Sequence, residues 1–314
     1  MEGTSKETGK PHAILEIQWG PLGGKKAILA PGATLRVGAT DFADLAIPHD
    51  RTLSRVHFEL SWDGETCKLR DLGSQRGTEL DGAVVEEAEL LDGAWIRAGE
   101  TDFVFHVERG TPPRPRADLE RDERAPQSER RRVEEARREE DARLAAAKQA
   151  LSTLRREAER GRLYAITDAA RDDRILELLQ ESVEEHRSLY EGVEGEAMSH
   201  IAPYLVGPLG PGSSLLEALL TEGWGNRWGI YLVCPLPFRE IRRHFRHFLM
   251  VEVEETGERL YFRFFDPECL RIFLPTCSPR QISELRGPIE RVFGEAPDRE
   301  LLVLLPAERS SEGV

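Results

Sequence analysis

Short apolar runs separated by turns follow one another from Ala13 to Val107. The turn signals include Trp62-Asp63-Gly64 and Leu80-Asp81-Gly82, and no helical period lies between the runs. Many short strands at this spacing are typical of a β-sandwich. The pattern therefore predicts an all-β sandwich over residues 13–108, with strands at 14–19, 25–29, 34–37, 56–62, 67–71, 95–98 and 102–107.

A change of pattern follows the sandwich. The run Thr111-Pro112-Pro113-Arg114-Pro115 suits neither a strand nor a regular helix, so we expect a flexible Pro/Arg linker over 109–128. From Ser128 to Arg160 the chain has no Gly or Pro, and Ala, Arg, Glu and Leu dominate. This composition predicts a long charged helix over 129–160, with Ser128 as its N-cap.

Apolar positions in the second half of this helix, at 144, 147, 151, 154 and 158, recur at steps of three and four. They allow two interpretations. The seam could form a coiled-coil dimer of about two heptads, or Leu144, Leu151 and Leu154 could dock on the following domain, which we favour. The first half is polar all round, as expected of a solvated spacer.

Strands and helices alternate beyond Leu163. Apolar strand-like runs, such as 229–233, are interspersed with amphipathic segments, such as 214–221 and 238–248. The alternation predicts a mixed α/β (α+β) domain over 161–297, with a C-terminal tail over 298–314. The fold class is therefore multidomain: an all-β sandwich and a mixed domain joined by a long charged helix.

The acidic balance of the chain excludes some partners. It has 43 Lys and Arg against 57 Asp and Glu, a net charge of −14, so we expect no general nucleic-acid binding and no adsorption to anionic membranes. No apolar run approaches the roughly 18 residues that span a bilayer, and no signal-like apolar core follows Met1–Lys10. The four cysteines form no CxxC pair, so a reducing cytoplasm and no membrane insertion are expected.

Catalytic chemistry has little support in the sequence. His244 and His247 lie three residues apart on a predicted helix, a spacing that can bind metal. However, no third ligand is evident, and Arg242, Arg243 and Arg246 surround the pair with positive charge. A solvated basic helix face, which could contact an acidic partner, is the favoured interpretation. Cys269 and Cys277 have no His nearby in sequence, and no phosphate-binding Gly-x-x-x-x-Gly-Lys loop occurs. We therefore expect no enzyme, no metal and no cofactor.

Four ordered segments resemble the forkhead-associated (FHA) domain: 53–57, 69–78, 80–82 and 91–99. Members of that family bind phosphothreonine peptides through loops at one end of a sandwich, where hydroxyl and guanidinium donors converge on the phosphate. The resemblance implies two groups of residues. The phosphopeptide-binding candidates are Ser54, Arg55, Gln75 and Arg76, and the loop-bracing candidates are His57 and Gly77.

The sequence departs from the family pattern at the phosphate site. The family's Gly-Arg pair falls on Gly38-Ala39, its peptide-gripping Asn falls on Arg76, and its Asn-Gly is Asp81-Gly82. Loss of a charged hydrogen-bond partner typically costs a few kcal/mol. Arg36, Arg51 or Arg76 are the candidates for a substitute charge. We therefore favour a plain protein-docking module over ordinary phosphothreonine recognition.

The second domain resembles the adaptor-chaperone domain of bacterial type VI secretion systems. The resemblance rests on 163–172, 187–192, 202–206, 222–230, 264–270 and 273–277, which stand in the family order. It implies that the domain holds a toxic effector and assists its loading onto the VgrG spike.

Two tryptophans and three arginines are the candidate partner-binding residues of this domain: Trp224, Trp228, Arg242, Arg243 and Arg246. The tryptophans lie four apart and would share a face if their segment were helical. Exposed Trp side chains make good interface anchors, although a core role is an equal alternative.

These observations lead to one main hypothesis, a bacterial cytoplasmic adaptor that binds a type VI effector, a VgrG-type spike protein or both. The FHA-like domain would add a docking point for a secretion component, phosphorylated or not. The rival is a phosphothreonine-dependent signalling scaffold downstream of a Ser/Thr kinase, and a metal hydrolase is a distant third.

Overall fold

A computed structural model describes residues 10–113, 127–252 and 257–306. The chain forms two compact units, which are described separately. The first contains the residues up to Pro112 together with Gln180–Glu185, and the second contains Pro113–Leu179 and the chain from His186 onward.

The first unit is a sandwich of two sheets, as predicted. Its strands are β1 (Ala13–Ile17), β2 (Lys26–Leu29), β3 (Thr34–Gly38), β4 (Leu45–Ala46), β5 (Phe58–Trp62), β6 (Cys67–Asp71), β7 (Thr78–Leu80), β8 (Ala83–Val85), β9 (Glu87–Leu90), β10 (Trp95–Ala98) and β11 (Thr101–Val107). One sheet has the order β2-β1-β11-β10-β7-β8 and the other β4-β3-β5-β6-β9. Pairing is antiparallel except between β3 and β4.

Alternating apolar side chains from both sheets form the core of the sandwich. Phe58 and Phe103 meet edge to face at its centre, with ring centroids 5.6 Å apart. The strands β4, β7, β8 and β9 were not predicted, and they have only two to four residues each. Strands this short carry too few alternating positions to show a period of two.

A two-residue turn joins β7 to β8. Asp81 has a φ of 49° and Gly82 a φ of 84°, as a type I′ hairpin turn requires. Asp81 tolerates this conformation because its Oδ1 accepts the Trp95 backbone N–H at 2.9 Å. The Asp-Gly pair therefore fixes the register of this hairpin.

The long helix α1 (Gln127–Arg160) begins within two residues of the predicted start. Of the linker expected over 109–128, residues 114–126 lie outside the described residues. Ala147, Ala150, Leu151 and Leu154 of α1 are buried in the core of the second unit. Docking on the following domain, the favoured interpretation, is thus confirmed for Leu151 and Leu154, whereas Leu144 is half-buried and lies outside this core. The buried residues are not free to form a coiled-coil seam.

The second unit is built on a six-stranded antiparallel sheet. The strands of the whole unit, six in this sheet and two in a hairpin, are β12 (Leu163–Asp168), β13 (His186–Ser188), β14 (Pro203–Leu209), β15 (Gly229–Val233), β16 (Met250–Glu252), β17 (Arg259–Tyr261), β18 (Arg291–Glu295) and β19 (Leu301–Leu305). Its shorter helices are α2 (Arg174–Gln180), α3 (Gly192–Ala197), α4 (Ser214–Gly223), α5 (Phe238–Arg246), α6 (Pro267–Phe273) and α7 (Pro279–Arg286). The sheet order is β13-β14-β12-β15-β18-β19, and β16 and β17 form a separate hairpin.

Side chains alternate between the two faces along each strand, and apolar side chains lie on both faces of this sheet. Helices therefore cover both faces. The core on one face contains residues of α1, α2 and α4. The core on the other contains residues of α5, α6, α7 and the β17 region. The mixed α/β character of the domain is as predicted.

The C-terminal boundary was predicted wrongly. The domain was expected to end at 297, with a tail over 298–314, yet Leu301–Leu305 pairs with β18 as the last strand of the sheet. The apolar run 301–305 was the signal for this strand. Within the described residues, no helix is long and apolar enough to cross a membrane.

Candidate functional site

Three loops meet at one end of the sandwich: β3–β4, β4–β5 and β6–β7. His57 is fully buried between two of them. Its Nδ1 accepts the Ser54 backbone N–H at 3.1 Å, and its Nε2 lies 3.0 Å from the Gly77 carbonyl oxygen. Gly77 has a φ of 77°, which favours glycine. His57 and Gly77 therefore hold the second and third loops together.

Ser54 lies at the junction of these loops. Its half-buried hydroxyl oxygen accepts the Gln75 backbone N–H at 3.1 Å, which leaves its own proton free to donate to a ligand. The Ser54 carbonyl accepts the Ala39 backbone N–H at 2.9 Å, so the first loop joins the same junction.

Gly38 makes this close approach possible. A Cβ at this position would lie 2.3 Å from the Arg55 carbonyl oxygen. A contact this short would force the backbone of one of the two loops to move. Glycine is therefore required here by the packing of one loop on the other.

The positive charges at this end are distributed differently from the family pattern. Ala39 leaves the first loop without a guanidinium group. Arg36, one candidate for its replacement, is already paired with Glu59, with 3.0 Å between Nε and Oε2. Arg55 and Arg76 are exposed, and no carboxylate among the described residues pairs with either. These two arginines flank Ser54 and Gln75 and are available to a ligand.

An aspartate shapes the third loop. Asp71 accepts the Ser74 hydroxyl at 2.6 Å, the Thr78 hydroxyl at 2.7 Å and the Gly73 backbone N–H at 2.9 Å. Burial alone raises the pKa of Asp71, but these hydrogen bonds outweigh it, and the pKa is lowered overall. The carboxylate thus fixes the segment that presents Gln75 and Arg76.

The second loop has its own anchor in Asp50, which is 4% exposed. Asp50 accepts the backbone N–H and hydroxyl of Thr52 at 2.9 and 2.6 Å. It also accepts the Glu100 backbone N–H at 2.8 Å and the Thr101 hydroxyl at 2.7 Å. Although burial raises the pKa of Asp50, these bonds bring it down to about 2. Neither Asp50 nor Asp71 was among the predicted site residues.

In the second domain, both candidate tryptophans belong to the core. Trp224 and Trp228 are 3% and 5% exposed, and the Trp224 indole N–H donates to the Arg299 carbonyl at 2.7 Å. The segment is not helical, because α4 ends at Gly223 and Gly225 has a φ of 96°. Their assignment as partner-binding anchors is wrong, and the alternative core interpretation is correct.

Two of the candidate arginines bind inside the domain. The Arg242 Nε donates to the Ser188 carbonyl at 2.8 Å, and the Arg246 Nε donates to the Leu189 carbonyl at 3.2 Å. Both guanidinium groups also pair with Glu191. The interpretation of this helix as a basic contact face is therefore wrong for Arg242 and Arg246, whereas Arg243 is exposed and remains a candidate.

The histidines of α5 take separate positions. The His244 Nε2 lies 2.9 Å from the Leu285 carbonyl, and burial lowers the pKa of His244. His247 is exposed at the end of the helix. Among the described residues, no group of three or more His, Cys, Asp or Glu side chains could hold a metal ion.

A network of two aspartates and two arginines joins segments that the family resemblance pointed to. Buried Asp168, at the end of β12, pairs with Arg263, and Arg171 pairs with Asp266. Asp266 also caps α6, where its Oδ1 accepts the Glu268 backbone N–H at 3.0 Å. The pair of Arg171 and Asp266 was not predicted, because the two residues lie 95 positions apart in the sequence.

A polar cavity of about 420 Å³ opens beside the turn after α4. Arg227, Glu268, Glu295 and Arg299 contribute to its lining. Burial raises the pKa of Glu295, although backbone N–H groups of Gly225 and Arg227 partly offset this. The cavity lies within the second domain and adds charged groups of both signs to its surface.

Comparison with known proteins assigns both domains. The family model described as "Inner membrane component of T3SS, cytoplasmic domain" matches residues 16–109, and the model "Domain of unknown function (DUF4123)" matches residues 163–284. The FHA domain-containing protein FhaA of Mycobacterium tuberculosis is 36% identical over 99 residues. That alignment covers 32% of this chain and 18% of FhaA, so the chain spans less than a fifth of this curated relative.

Solved FHA domains also match the N-terminal region. One, from a hypothetical protein of Arabidopsis thaliana, is 30% identical with a TM-score of 0.30 and covers 33% of this chain and 93% of its own. Another, from the CT664 protein of Chlamydia trachomatis, is 23% identical with a TM-score of 0.29 and covers 30% of this chain and 96% of its own. The motifs and the sequence matches show that the chain carries an FHA domain at its N-terminus and a DUF4123 domain, a domain found in type VI secretion effector adaptors, at its C-terminus.

Proposed function

We propose that this chain is a cytoplasmic bacterial adaptor that binds a type VI effector, a VgrG-type spike protein or both, and loads the effector for export. The observation that supports this most is the DUF4123 match, which runs from the first residue of β12 into α7. The FHA domain supplies a second docking point. Two sites on one chain raise avidity when both can engage together.

In this proposal the chain acts by binding its partners and not by catalysis. Burial raises the pKa of the Cys269 thiol and of the Cys277 thiol. A thiol with a raised pKa carries little thiolate at neutral pH and is a poor nucleophile. The acid and base groups of the Asp168 network pair with each other, which supports a structural role for them.

The FHA domain, in this proposal, docks its partner without requiring phosphate. The support is Ala39, which leaves the first loop without a cationic group, together with the engagement of Arg36 by Glu59. A specific observation favours the rival, phosphothreonine recognition: Arg55 and Arg76 are exposed beside the Ser54 hydroxyl. Charge-assisted bonds from two guanidinium groups would suit a dianion.

Affinity purification with cross-linking tests the adaptor function. The full chain, tagged and expressed at its natural level in its source bacterium, should co-purify with a VgrG-type spike protein or a toxin encoded nearby. Cross-links should reach the DUF4123 domain. Recovery of neither protein class, under conditions that recover the apparatus itself, would contradict the proposal.

A peptide library separates the two roles of the FHA domain. Matched phosphothreonine and threonine peptides are presented to the full chain and to Ser54→Ala, Arg55→Ala and Arg76→Ala variants. We expect binders whose affinity changes less than threefold on phosphatase treatment. Binding that disappears with the phosphate and with Arg55→Ala, but survives Lys68→Ala, a control that removes an exposed charge from β6 outside the three loops, would establish the signalling rival instead.

A further inference from the structure

The two edges of the DUF4123 sheet are built differently. At one edge, β13 has only three residues, His186–Ser188. Arg242 and Arg246 occupy the carbonyl groups of Ser188, Leu189 and Tyr190 as the chain leaves this strand. A short edge strand with arginines on its carbonyls resists pairing with another chain.

The opposite edge, β19, has none of this protection. It has five consecutive apolar residues, Leu301–Leu305, with no charge, proline or glycine among them. Leu302 and Val303 are 38% and 44% exposed. Long apolar edge strands of this kind are templates for strand pairing, and proteins normally blunt them.

The hydrogen-bond pattern shows which main-chain groups of β19 face outward. The Ala296 N–H donates to the Glu300 carbonyl at 2.9 Å, and the register then places Gly294 opposite Leu302 and Phe293 opposite Val303. Bonded and non-bonded pairs alternate in an antiparallel ladder. Leu302 therefore bonds to β18, and the N–H and C=O groups of Leu301 and Val303 point away from the sheet.

The geometry points to β19 as a strand-addition site. An extended segment of a partner protein pairs with the outward groups of Leu301 and Val303, which other described residues leave unbonded. Main-chain hydrogen bonds supply affinity in this mode, and alternate side chains supply specificity. The segment carries apolar side chains at alternate positions. On one face of the sheet these side chains contact Leu302, and on the other face they contact Val303.

The surroundings of β19 extend the site on one face. Leu302 shares a face with its cross-strand partner Gly294. An added Cβ at Gly294 would meet Pro267 of α6 at 2.8 Å, so this face lies against α6. Ile272 of the same helix is 58% exposed. An apolar side chain on the incoming segment has Leu302 and α6 beside it.

A second copy of this chain is the less suitable occupant, because β19 offers too little surface for a stable dimer interface. A stable dimer interface buries about 800 Å² per partner, whereas β19 offers five residues with two exposed side chains. A flexible segment needs less area, since it arrives as a strand and makes new main-chain bonds. We assign this segment to secretion cargo, an assignment that rests on the proposed function, whereas the strand-addition site itself does not.

Proline at position 303 tests the site without breaking the sheet. Val303→Pro removes an outward N–H, and proline is accepted on edge strands where that group faces solvent. Val303→Ile keeps the N–H and an apolar, β-branched side chain and is the matched control. A phage-displayed library of random 16-residue peptides is selected on the full chain, and the enriched peptides are synthesised and titrated.

We expect enriched peptides with alternating apolar residues, at least tenfold weaker binding to Val303→Pro, and binding to Val303→Ile within threefold of wild type. Bound peptide should slow amide exchange at Leu301 and Val303. Peptides that bind Val303→Pro as they bind wild type, or no enriched peptide at all, would overturn the site. Sedimentation showing a wild-type dimer that Val303→Pro abolishes would assign the edge to a second copy.

The same variants separate this inference from the adaptor function. If a spike or effector protein co-purifies equally with wild type and Val303→Pro, the adaptor function stands and β19 is not its site. If peptides bind β19 but no such protein co-purifies, the strand-addition site stands and the adaptor function fails.

Discussion

Asp50→Asn should loosen the loop that presents Ser54 and Arg55. The Asp50 carboxylate accepts four hydrogen bonds, two from Thr52 and one each from Glu100 and Thr101. An asparagine amide has one acceptor oxygen, and its NH₂ group would face donors. At least two of the four bonds are therefore lost, together with the charge that strengthens them.

The pKa of Asp50 sets the size of the effect. Its fall from 3.8 to about 2 corresponds to at most about 2.5 kcal/mol of stability. Solvent screening near the surface reduces this to about 1–2 kcal/mol. Because the folded pKa is depressed, the contribution is complete above pH 3.8 and is lost as the pH falls through about 2. At pH 2.5 about a third remains.

Urea unfolding of the full chain, read by pulsed amide exchange and mass spectrometry, measures this effect. Peptides from β5 and β11 report the FHA domain separately from the second domain. Asp41→Asn is the matched control, since Asp41 is exposed in the neighbouring loop and should change stability by less than about 0.5 kcal/mol. An Asp50→Asn effect equal to that of the control, or a gap from wild type that does not shrink between pH 5 and pH 2.5, would refute the reasoning.

Three further predictions concern single contacts. Arg242→Ala should speed amide exchange at 188–191 by at least tenfold because the Ser188 carbonyl loses its donor, while Arg243→Ala, on the same helix, should not. Trp224→Phe should lower the free energy of unfolding in urea by about 1 kcal/mol more than Trp228→Phe. The reason is that the Trp224 indole N–H is hydrogen-bonded, whereas the buried Trp228 indole N–H has no partner among the described residues. Equal losses for the two variants would contradict this. Gly38→Ala should shift the amide resonances of the Ser54 loop and lower stability by 1–3 kcal/mol, and an unchanged spectrum would count against the 2.3 Å clash.

Much of the fold could be predicted because it is encoded locally. The absence of Gly and Pro from 128 to 160 marked α1 within two residues, and the Asp81-Gly82 pair marked a hairpin turn. The strand β19 was missed because its run of five apolar residues has no alternation and follows the turn Pro297-Asp298. A run of this kind fits an edge strand, a buried strand or a collapsed tail equally well.

The candidate sites were predicted less well, because their geometry depends on contacts between distant residues. Trp224 and Trp228 could not be assigned from their spacing, since the direction of each indole depends on where α4 ends. The positions of Arg242 and Arg246 depend on a loop about 55 residues away. A basic surface and an internal arginine clamp have the same sequence pattern, and only the fold distinguishes them.

Export of a toxin tests the central claim most directly. In the source bacterium, deletion of this gene should remove one type VI toxin from the culture medium while the tube protein of the same apparatus is still released. The wild-type gene should restore export. Unchanged export of every toxin in the deletion strain would contradict the adaptor function of this chain.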